Sequence, residues 1–511
     1  MNEVERSLKS IAKGTVFSFL GIFLALLLSF LQRWTIIRIT TPHEYGLYSL
    51  SLAVIAIFLS IGSLGLYEGI TRTISFKFSR GSSRDLKMRA FSSLIVIALV
   101  SGGISILVLH ICAPSISVLF DKDITQIITV ISLSIPFSLL LEFLVFFFRG
   151  IEKAQVKVLF GDFLKNFIFF SLLLLILLKK MSFQTLIWVY VFAIVLSAVL
   201  ILLYSFRTIG IPRFRGITPL TREMLVFSLP LLGGTLFQLI TQWADTLLLG
   251  FFKTTEDVAF YSAALPTSKL IQTSMGAFLF IYLPVATSLY SRGLTEEMKR
   301  VYAVVSKWVM FITFPLFLIL FLNADILFSF LYGSAYESAV LPFRIITVGY
   351  MVRDSFGPNG GALIAMGKTR IMMIIVSVIA LTNLVSNGLL IPSMGMEGAA
   401  ISMVITLITA SLLKGGILYH ISGIHPMRWN YIKPFFGSVV LIGGFQFIFN
   451  RLTTVTVWEL PILLGIYMIL YLLSMILTKS VDKEDIWMLL LIERRTGINV
   501  HILKKFMKKF L

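Results

Sequence analysis

Apolar runs long enough to cross a bilayer, about 20 residues each, recur along the whole chain. Fourteen are read, at 14–37, 46–67, 90–111, 125–148, 158–178, 184–206, 223–250, 258–289, 302–322, 339–366, 371–391, 398–419, 434–450 and 460–477. The last two pairs of edges enclose short runs, whereas the seventh, eighth and tenth runs are long enough to tilt, kink or protrude. The pattern predicts an all-α polytopic membrane protein of about 14 transmembrane helices.

The polar intervals carry a second pattern. With the N-terminus placed in the cytoplasm, alternate intervals and the two tails hold thirty-one Lys and Arg, and the other intervals hold six: Arg38, Lys122, Lys179, Lys180, Lys253 and Arg451. The positive-inside rule then puts both termini in the cytoplasm and requires an even number of spans. A missed or invented helix in mid-chain would have reversed the alternation beyond it.

Composition narrows the class further. The 511 residues are 57% hydrophobic and 14% charged, with a mean hydropathy of +0.93, against about 45–50% and about 25% in ordinary globular chains. A soluble enzyme, a disordered chain, a secreted disulfide scaffold and a coiled coil are excluded. The net charge of +19 follows from the basic loops, so no nucleic-acid partner is expected. One cysteine, Cys112, allows no intramolecular disulfide, and His43, His110, His420, His425 and His501 have no metal-ligand spacing, so no cofactor or metal is expected. The first run is too long for a signal peptide and lacks a cleavage site. External loops are short. The tail, 479–511, mixes apolar and basic residues and is expected to lie as an amphipathic helix on the inner leaflet.

The chain repeats itself weakly. Thr40-Thr41-Pro42-His43-Glu44-Tyr45 after the first run is echoed by Thr254-Thr255-Glu256-Asp257-Val258-Ala259 after the seventh, and Val16-Phe17-Ser18 by Val226-Phe227-Ser228. Six helices separate the copies, so both start on the same side, as in two-lobed transporters with a site between the lobes. The expected organisation is a six-helix lobe at 1–215, a second at 216–425, two additional helices at 426–478 and the basic tail at 479–511.

Three segments resemble the polysaccharide-transport (Wzx-type) oligosaccharide-lipid flippases. They are Arg38-Ile39-Thr40-Thr41-Pro42-His43-Glu44-Tyr45-Gly46-Leu47-Tyr48, Phe227-Ser228-Leu229-Pro230 with Trp243-Ala244-Asp245-Thr246 and Phe260-Tyr261-Ser262-Ala263-Ala264, and Ile391-Pro392-Ser393-Met394-Gly395-Met396-Glu397-Gly398. They occur in matching order over almost the whole chain. The wider group is the multidrug/oligosaccharidyl-lipid/polysaccharide exporter superfamily, which includes MATE drug exporters and lipid II flippases. The resemblance implies a V-shaped bundle of two six-helix lobes plus two further helices, in the plasma membrane of a prokaryote. It implies a polyprenyl-(pyro)phosphate-linked oligosaccharide as substrate, moved from the cytoplasmic to the outer leaflet by alternating access. Membrane lipids and polysaccharide-assembly proteins are the implied partners.

An ionisable group in a membrane helix is a functional candidate, because burying it costs several kcal/mol unless it is paired or faces water. Lys269 lies near mid-membrane in the eighth run, with Gln272, Thr273 and Gly276 on the same helix face. That face looks either into an aqueous cavity or onto an internal partner. The seventh run carries Thr235, Gln238, Gln242 and Asp245 in one stripe, where Asp245 is either a functional or an interfacial structural carboxylate. Arg33, beside Gln32, lies in the outer third of the first run, and Glu68 and Arg72 close the second. Arg353 and Asp354 sit inside the tenth run before Gly357-Pro358-Asn359-Gly360-Gly361, which should break the helix. Being adjacent, about 100° apart, the two are not expected to share a partner easily; they serve either a cavity or hinge, or a structural pair. Lys165 is expected to pair with Asp162, and Lys307, Arg344 and Lys414 to snorkel from run ends.

On the implied mechanism, phosphate is held by Arg33, Lys269 or Arg353, the sugar takes a hydrated passage, and Gln238, Gln242 and Gln272 are further substrate-binding candidates. Asp245, Glu68, Arg72, Glu142 and Asp354 are the coupling-ion or gate candidates, with H⁺ or Na⁺ as the ion. The absence of a P-loop leaves no ATP-driven step in this chain. A lipid II-type flippase and a cation-coupled drug exporter are the alternatives of the same fold. A membrane glycosyltransferase or polymerase is a distant third, since the external loops are too short for catalytic groups.

Overall fold

The computed structural model describes residues 24–78, 84–212, 219–426, 429–452 and 455–481. Among them every regular element is helical, the solution that satisfies backbone hydrogen bonds inside a single segment where water is absent. The start of the first run, 14–23, and nearly all of the expected amphipathic tail lie outside the described residues.

Contacts divide the chain into two compact units, Met1–Ser262 and Ala263–Leu511. The first contains α1 (24–39), α2 (Pro42–Gly62), α3 (Leu66–Phe78), α4 (Arg84–Phe120), α5 (Thr125–Ser132) and α6 (Ile135–Gly150). A short α7 (Ala154–Val156) runs into a π-helical turn at Lys157–Leu164, followed by α8 (Lys165–Lys179), α9 (Phe183–Ile209), α10 (Pro219–Phe252) and most of the residues that open α11 (Thr255–Ser268). The second contains α12 (Gln272–Ser291), α13 (Thr295–Leu322), α14 (Ala324–Tyr332), α15 (Val340–Ser355), α16 (Asn359–Ala365), α17 (Thr369–Ser422), α18 (Trp429–Leu452) and α19 (Leu460–Leu477). The contact boundary falls beyond the repeat boundary at 215/216, because α10 packs on α2, α3 and α4.

Nine helices among the described residues are long and apolar enough to cross a membrane, or ten if α5 and α6, bent by 41°, form one span. The other expected runs are broken or doubled. The eighth is α11 and α12 joined by a 3-10 turn at Lys269–Ile271, and the tenth is α15 and α16, separated at Phe356–Pro358. The eleventh and twelfth are the two arms of α17. Gly395 has φ 60° and ψ −134°, a conformation only glycine adopts without strain, and around it Ser386 meets Ser402 at 2.5 Å and Asn383 meets Thr406 at 3.3 Å. The chain therefore doubles back into a helical hairpin. The helix α14 and the 3-10 turn at Ser334–Ala339 lie between the ninth and tenth runs; no run was expected there.

Core position follows from helix character. The sixteen-residue α6 is apolar around most of its circumference, and Phe143, Phe147 and Phe148 are fully buried in the first unit. In the second unit α13 plays that part, with 72% of its membrane-length window buried. Its Phe311 and Phe314 pack on Tyr471 of α19 and Phe435 of α18, ring centres 5.6 and 4.8 Å apart. The two C-terminal helices are thus part of this unit's core. They are also joined to each other by the Ser474 hydroxyl on the Pro434 carbonyl, 2.8 Å, and by Tyr467 on Gln446.

Candidate functional site

Lys269 begins the 3-10 turn between α11 and α12. Lys269, Gln272, Thr273 and Gly276 are all exposed, and open space lies beside Gly276. The expected polar stripe therefore exists as a surface of the second unit. The opposite face of the turn is anchored by small polar residues that the sequence reading passed over. Thr267 meets the Tyr332 hydroxyl of α14 at 2.7 Å, Ser268 reaches the Phe343 carbonyl of α15 at 3.4 Å, and Ser274 meets Thr313 of α13 at 2.6 Å. Three helices hold the break while the cation is presented outward.

Arg353 ends α15 in a different situation. Its Nε and Nη2 donate to Oδ1 of the adjacent Asp354 at 2.9 and 2.6 Å, and its guanidinium lies 5.0 Å from the Tyr350 ring centre. Of the cavity or hinge role and the structural pair that the sequence leaves open, this geometry shows the pair. The long arginine side chain folds back across one residue, because Asp354 is fully buried and an uncompensated carboxylate there would be costly. The Gly/Pro run does break the helix. Tyr302 and Tyr431 cap the freed carbonyls of Phe356 and Ser355 at 2.5 and 2.7 Å. Lys414, half-buried on the second arm of α17, lies within electrostatic reach of Arg353.

In the first unit α10 is held at both ends and open between. Toward its start, Lys77 pairs with Glu223 at 2.6 Å, Ser93 meets Thr221 at 2.7 Å, and the Arg72 guanidinium lies 4.1 Å from the Phe227 ring centre. Ser228 lies against Gly65 and Gly69. Toward its end, Gly250 lies against Leu50, and Asp245, 1% exposed, accepts the Tyr261 hydroxyl of α11 at 2.5 Å. In between, Gln238 and Gln242 are exposed, Thr235 is half-buried, and space is open beside Gly233 and Gly234. Asp245 thus sits apart from the glutamine stripe, as a buried tie between α10 and α11.

The remaining candidates are in separate pairs. Half-buried Arg33 lies beside the Tyr45 hydroxyl, and the neighbouring Gln32 amide donates to the Asn166 carbonyl at 2.6 Å. Glu68 accepts from Arg149 at 3.3 Å, so Glu68 and Arg72, one turn apart on α3, serve different neighbours. Glu142 on α6 is 3.7 Å from Lys165, which also lies within electrostatic reach of Asp162, its expected partner. Lys165 follows the π-helical turn, and a turn that wound differently would aim it elsewhere. Arg344 pairs with Asp325 at 2.5 Å. Lys307 does not snorkel: it is 3% exposed and its Nζ donates to the Ser480 carbonyl at 3.0 Å.

One buried cluster escaped the sequence reading. Asn383 and Asn387 on the first arm of α17, with Ser386, face Ser402 and Thr406 on the second, all nearly or fully buried. The Asn387 amide nitrogen and oxygen and the Asn383 Oδ1 find no hydrogen-bond partner among the described residues. The available signal was two polar pairs at i,i+4 spacing inside apolar runs.

The model of the polysaccharide biosynthesis protein family matches residues 11–289. Over 416 residues the chain is 23% identical to the uncharacterised membrane protein MJ1068 of Methanocaldococcus jannaschii, covering 77% of this chain and 80% of that protein. In fold it is similar to the lipid II flippase MurJ in an inward closed conformation, with a TM-score of 0.73 at 13% identity over 90% of this chain and 98% of that one. An inward-facing multidrug resistance MATE family transporter of the MOP superfamily gives 0.64 at 13% identity, over 80% and 98%.

Proposed function

The chain belongs to the polysaccharide biosynthesis protein family, and from that premise we propose that it is a flippase rather than an enzyme. It moves a polyprenyl-(pyro)phosphate-linked oligosaccharide from the cytoplasmic to the outer leaflet by alternating access between lobes 1–215 and 216–425. In this reading both termini are cytoplasmic, which the distribution of Lys and Arg supports. The observation that carries this reading is Lys269, a mid-span cation on an exposed polar face with Gln272. A lysine at that depth is tolerated where it is paired or meets water, and an anionic phosphate is the ligand a lysine point charge suits. The exposed Gln238 and Gln242 on α10 supply sugar-binding amides, and Arg33 is a further phosphate contact, whereas Arg353 is engaged by Asp354.

A drug exporter for cations would present open carboxylates. Glu68, Glu142, Asp245 and Asp354 are each engaged, by Arg149, Lys165, Tyr261 and Arg353. This favours an anionic cargo. An inside-negative potential drives outward movement of such a charge by about 2.3 kcal/mol per charge per 100 mV. Coupling to H⁺ or Na⁺ belongs to the same reading. The buried amide oxygens of Asn383 and Asn387, which find no hydrogen-bond partner among the described residues, offer such an ion a neutral seat, whereas the carboxylates are already engaged.

The test is protection of a fluorescent polyprenyl-phosphate-linked sugar from an external reagent in proteoliposomes, with wild type and Lys269→Ala side by side. Wild type should move the lipid and the variant should not. If neither moves it while ethidium-like cations are transported, the flippase reading is wrong and the drug-exporter branch replaces it.

A further inference from the structure

The two arms of α17 leave a groove between them at the end away from their turn. Ile371, Ile374 and Ile375 on the first arm and Ile417 and Ile421 on the second line it, with Gly416 and His420, around a cavity of about 440 Å³. A Cβ at Gly416 would meet open space. The lining residues lie roughly 30–39 Å along the arms from Gly395 at 1.5 Å per residue, and the hydrocarbon core of a bilayer is about 30 Å thick. The groove therefore opens at the membrane face opposite the Gly395 turn, where apolar chains meet headgroups. Charge is divided in the same way. Glu397, beside that turn, is the sole Asp or Glu in the sequence of α17. At the groove end Lys368 caps the first arm and Arg370 follows in its first turn. Lys368 stands one turn before Ile371 and Arg370 one turn before Ile374, so both cations continue the groove-lining face. Lys368 is half-buried and Arg370 exposed, and neither side chain makes an ion pair among the described residues. Lys299, which approaches Gly423 just past the second arm, is already paired with Glu296 at 2.7 Å.

We propose that this groove binds a glycerophospholipid with an anionic headgroup. One acyl chain lies along the isoleucines, and the headgroup phosphate is held by Lys368 as a point charge and by Arg370 in a bidentate contact. The site is separate from the cargo face at Lys269 and takes from the flippase reading only its orientation, which puts the groove in the cytoplasmic leaflet. That leaflet carries the anionic lipids that basic residues attract. Lipid tails are as apolar as isoleucine, so packing in the groove holds a chain without selecting it, and the two cations choose the head. Other occupants fit less well. A second copy seated about a two-fold axis would set the same cations against each other. The tail at 479–511 carries eight Lys or Arg against four Asp or Glu and would meet like charge. An oligosaccharide needs hydrogen-bonding partners, and His420 is the one polar side chain in the lining. A bound lipid joins the two arms at the end that the Gly395 turn leaves open.

The experiment reads bound lipid in detergent, without transport, so it fails or succeeds independently of the cargo assignment. Full-length protein in a neutral detergent is titrated with phosphatidylglycerol or with phosphatidylcholine of identical chains, and retained lipid is read by native mass spectrometry. Phosphatidylglycerol should bind at least about fivefold more tightly, the scale of one basic residue at an anionic headgroup. Lys368→Gln combined with Arg370→Gln should abolish that preference. Gly416→Phe, whose ring would fill the open groove, should remove the most tightly held phosphatidylglycerol. Ile374→Trp, at a position 61% exposed, should do the same and serves if the first groove variant misfolds. Equal binding of the two lipids, or a preference that survives the double variant, would overturn the anionic headgroup. Undiminished binding in the groove variants would overturn the chain site. Displacement by inorganic phosphate alone would reduce the site to one for a free anion. Tighter retention of a polyprenyl phosphate at the same residues would assign the groove to the cargo. Either of these last two results would also overturn the proposal.

Discussion

Lys269 and Arg353 make an instructive pair. Both are cations inside expected membrane spans, both belong to the second unit, and both sit at a helix break. Lys269 is presented on an exposed face by a break whose other side is tied down by Thr267, Ser268 and Ser274. Arg353 is folded onto a fully buried Asp354 and the Tyr350 ring. A helix break therefore has two uses in the same unit. One presents a charge on an exposed face, and the other houses a charge pair beside the break.

The contrast predicts opposite mutational signatures. Arg353→Ala should be the most damaging change to the fold, costing about 3–5 kcal/mol because it leaves Asp354 buried and unpaired. Adding Asp354→Asn should recover much of that loss in a thermal-unfolding measurement of detergent-solubilised protein. A small loss for Arg353→Ala would break the comparison. Lys269→Ala should do the reverse. Transport should fall at least about tenfold, the scale of a lost charged hydrogen bond, while stability changes by no more than about 0.5 kcal/mol, as for exposed substitutions. Equal loss of stability in both variants would mean that Lys269 is also a structural charge.

Smaller effects sharpen the picture. Tyr431→Phe removes the donor on the Ser355 carbonyl and should cost about 1 kcal/mol. That cost should vanish in the Arg353→Ala background if the break is already loosened there, which a double-mutant cycle on unfolding would read. The smallest effect lies at the other end of the chain's charge scale, at exposed Glu256. Its carboxyl is held below the ordinary range, so it stabilises the folded state above the unfolded value of about 4.3. The contribution is lost as the pH falls through the lower folded value. Glu256→Gln should therefore differ from wild type by about 0.2–1 kcal/mol at neutral pH, discounted to the low end by solvent screening. The two should converge in strong acid.

The candidate site was partly legible in the sequence. The stripe of Lys269, Gln272, Thr273 and Gly276 follows from helical periodicity, and the structure exposes all four. Gln238 and Gln242 were found the same way. Asp245 was left between two roles, and its burial under Tyr261 gives it a structural contact. The Asn383, Asn387, Ser402 and Thr406 cluster was missed, because a reading that searches for charges passes over neutral amides. Its parts also lie on two arms that only the turn at Gly395 brings together.

By itself, the sequence determined what is local. Runs of about 20 apolar residues specify helices that cross a membrane. Thr41 with Glu44 specifies a cap three residues away, and Gly357-Pro358 specifies a break, because each signal acts within one or two turns of its own residues. Tertiary structure alone decided which charges are paired. Lys165 reaches Glu142 on another helix, Lys307 reaches the Ser480 carbonyl, and Arg353 turns back on its neighbour. The partner of a charge depends on which helix faces meet and how deeply they are buried. The energy at stake is set by that burial, which a distant part of the chain supplies.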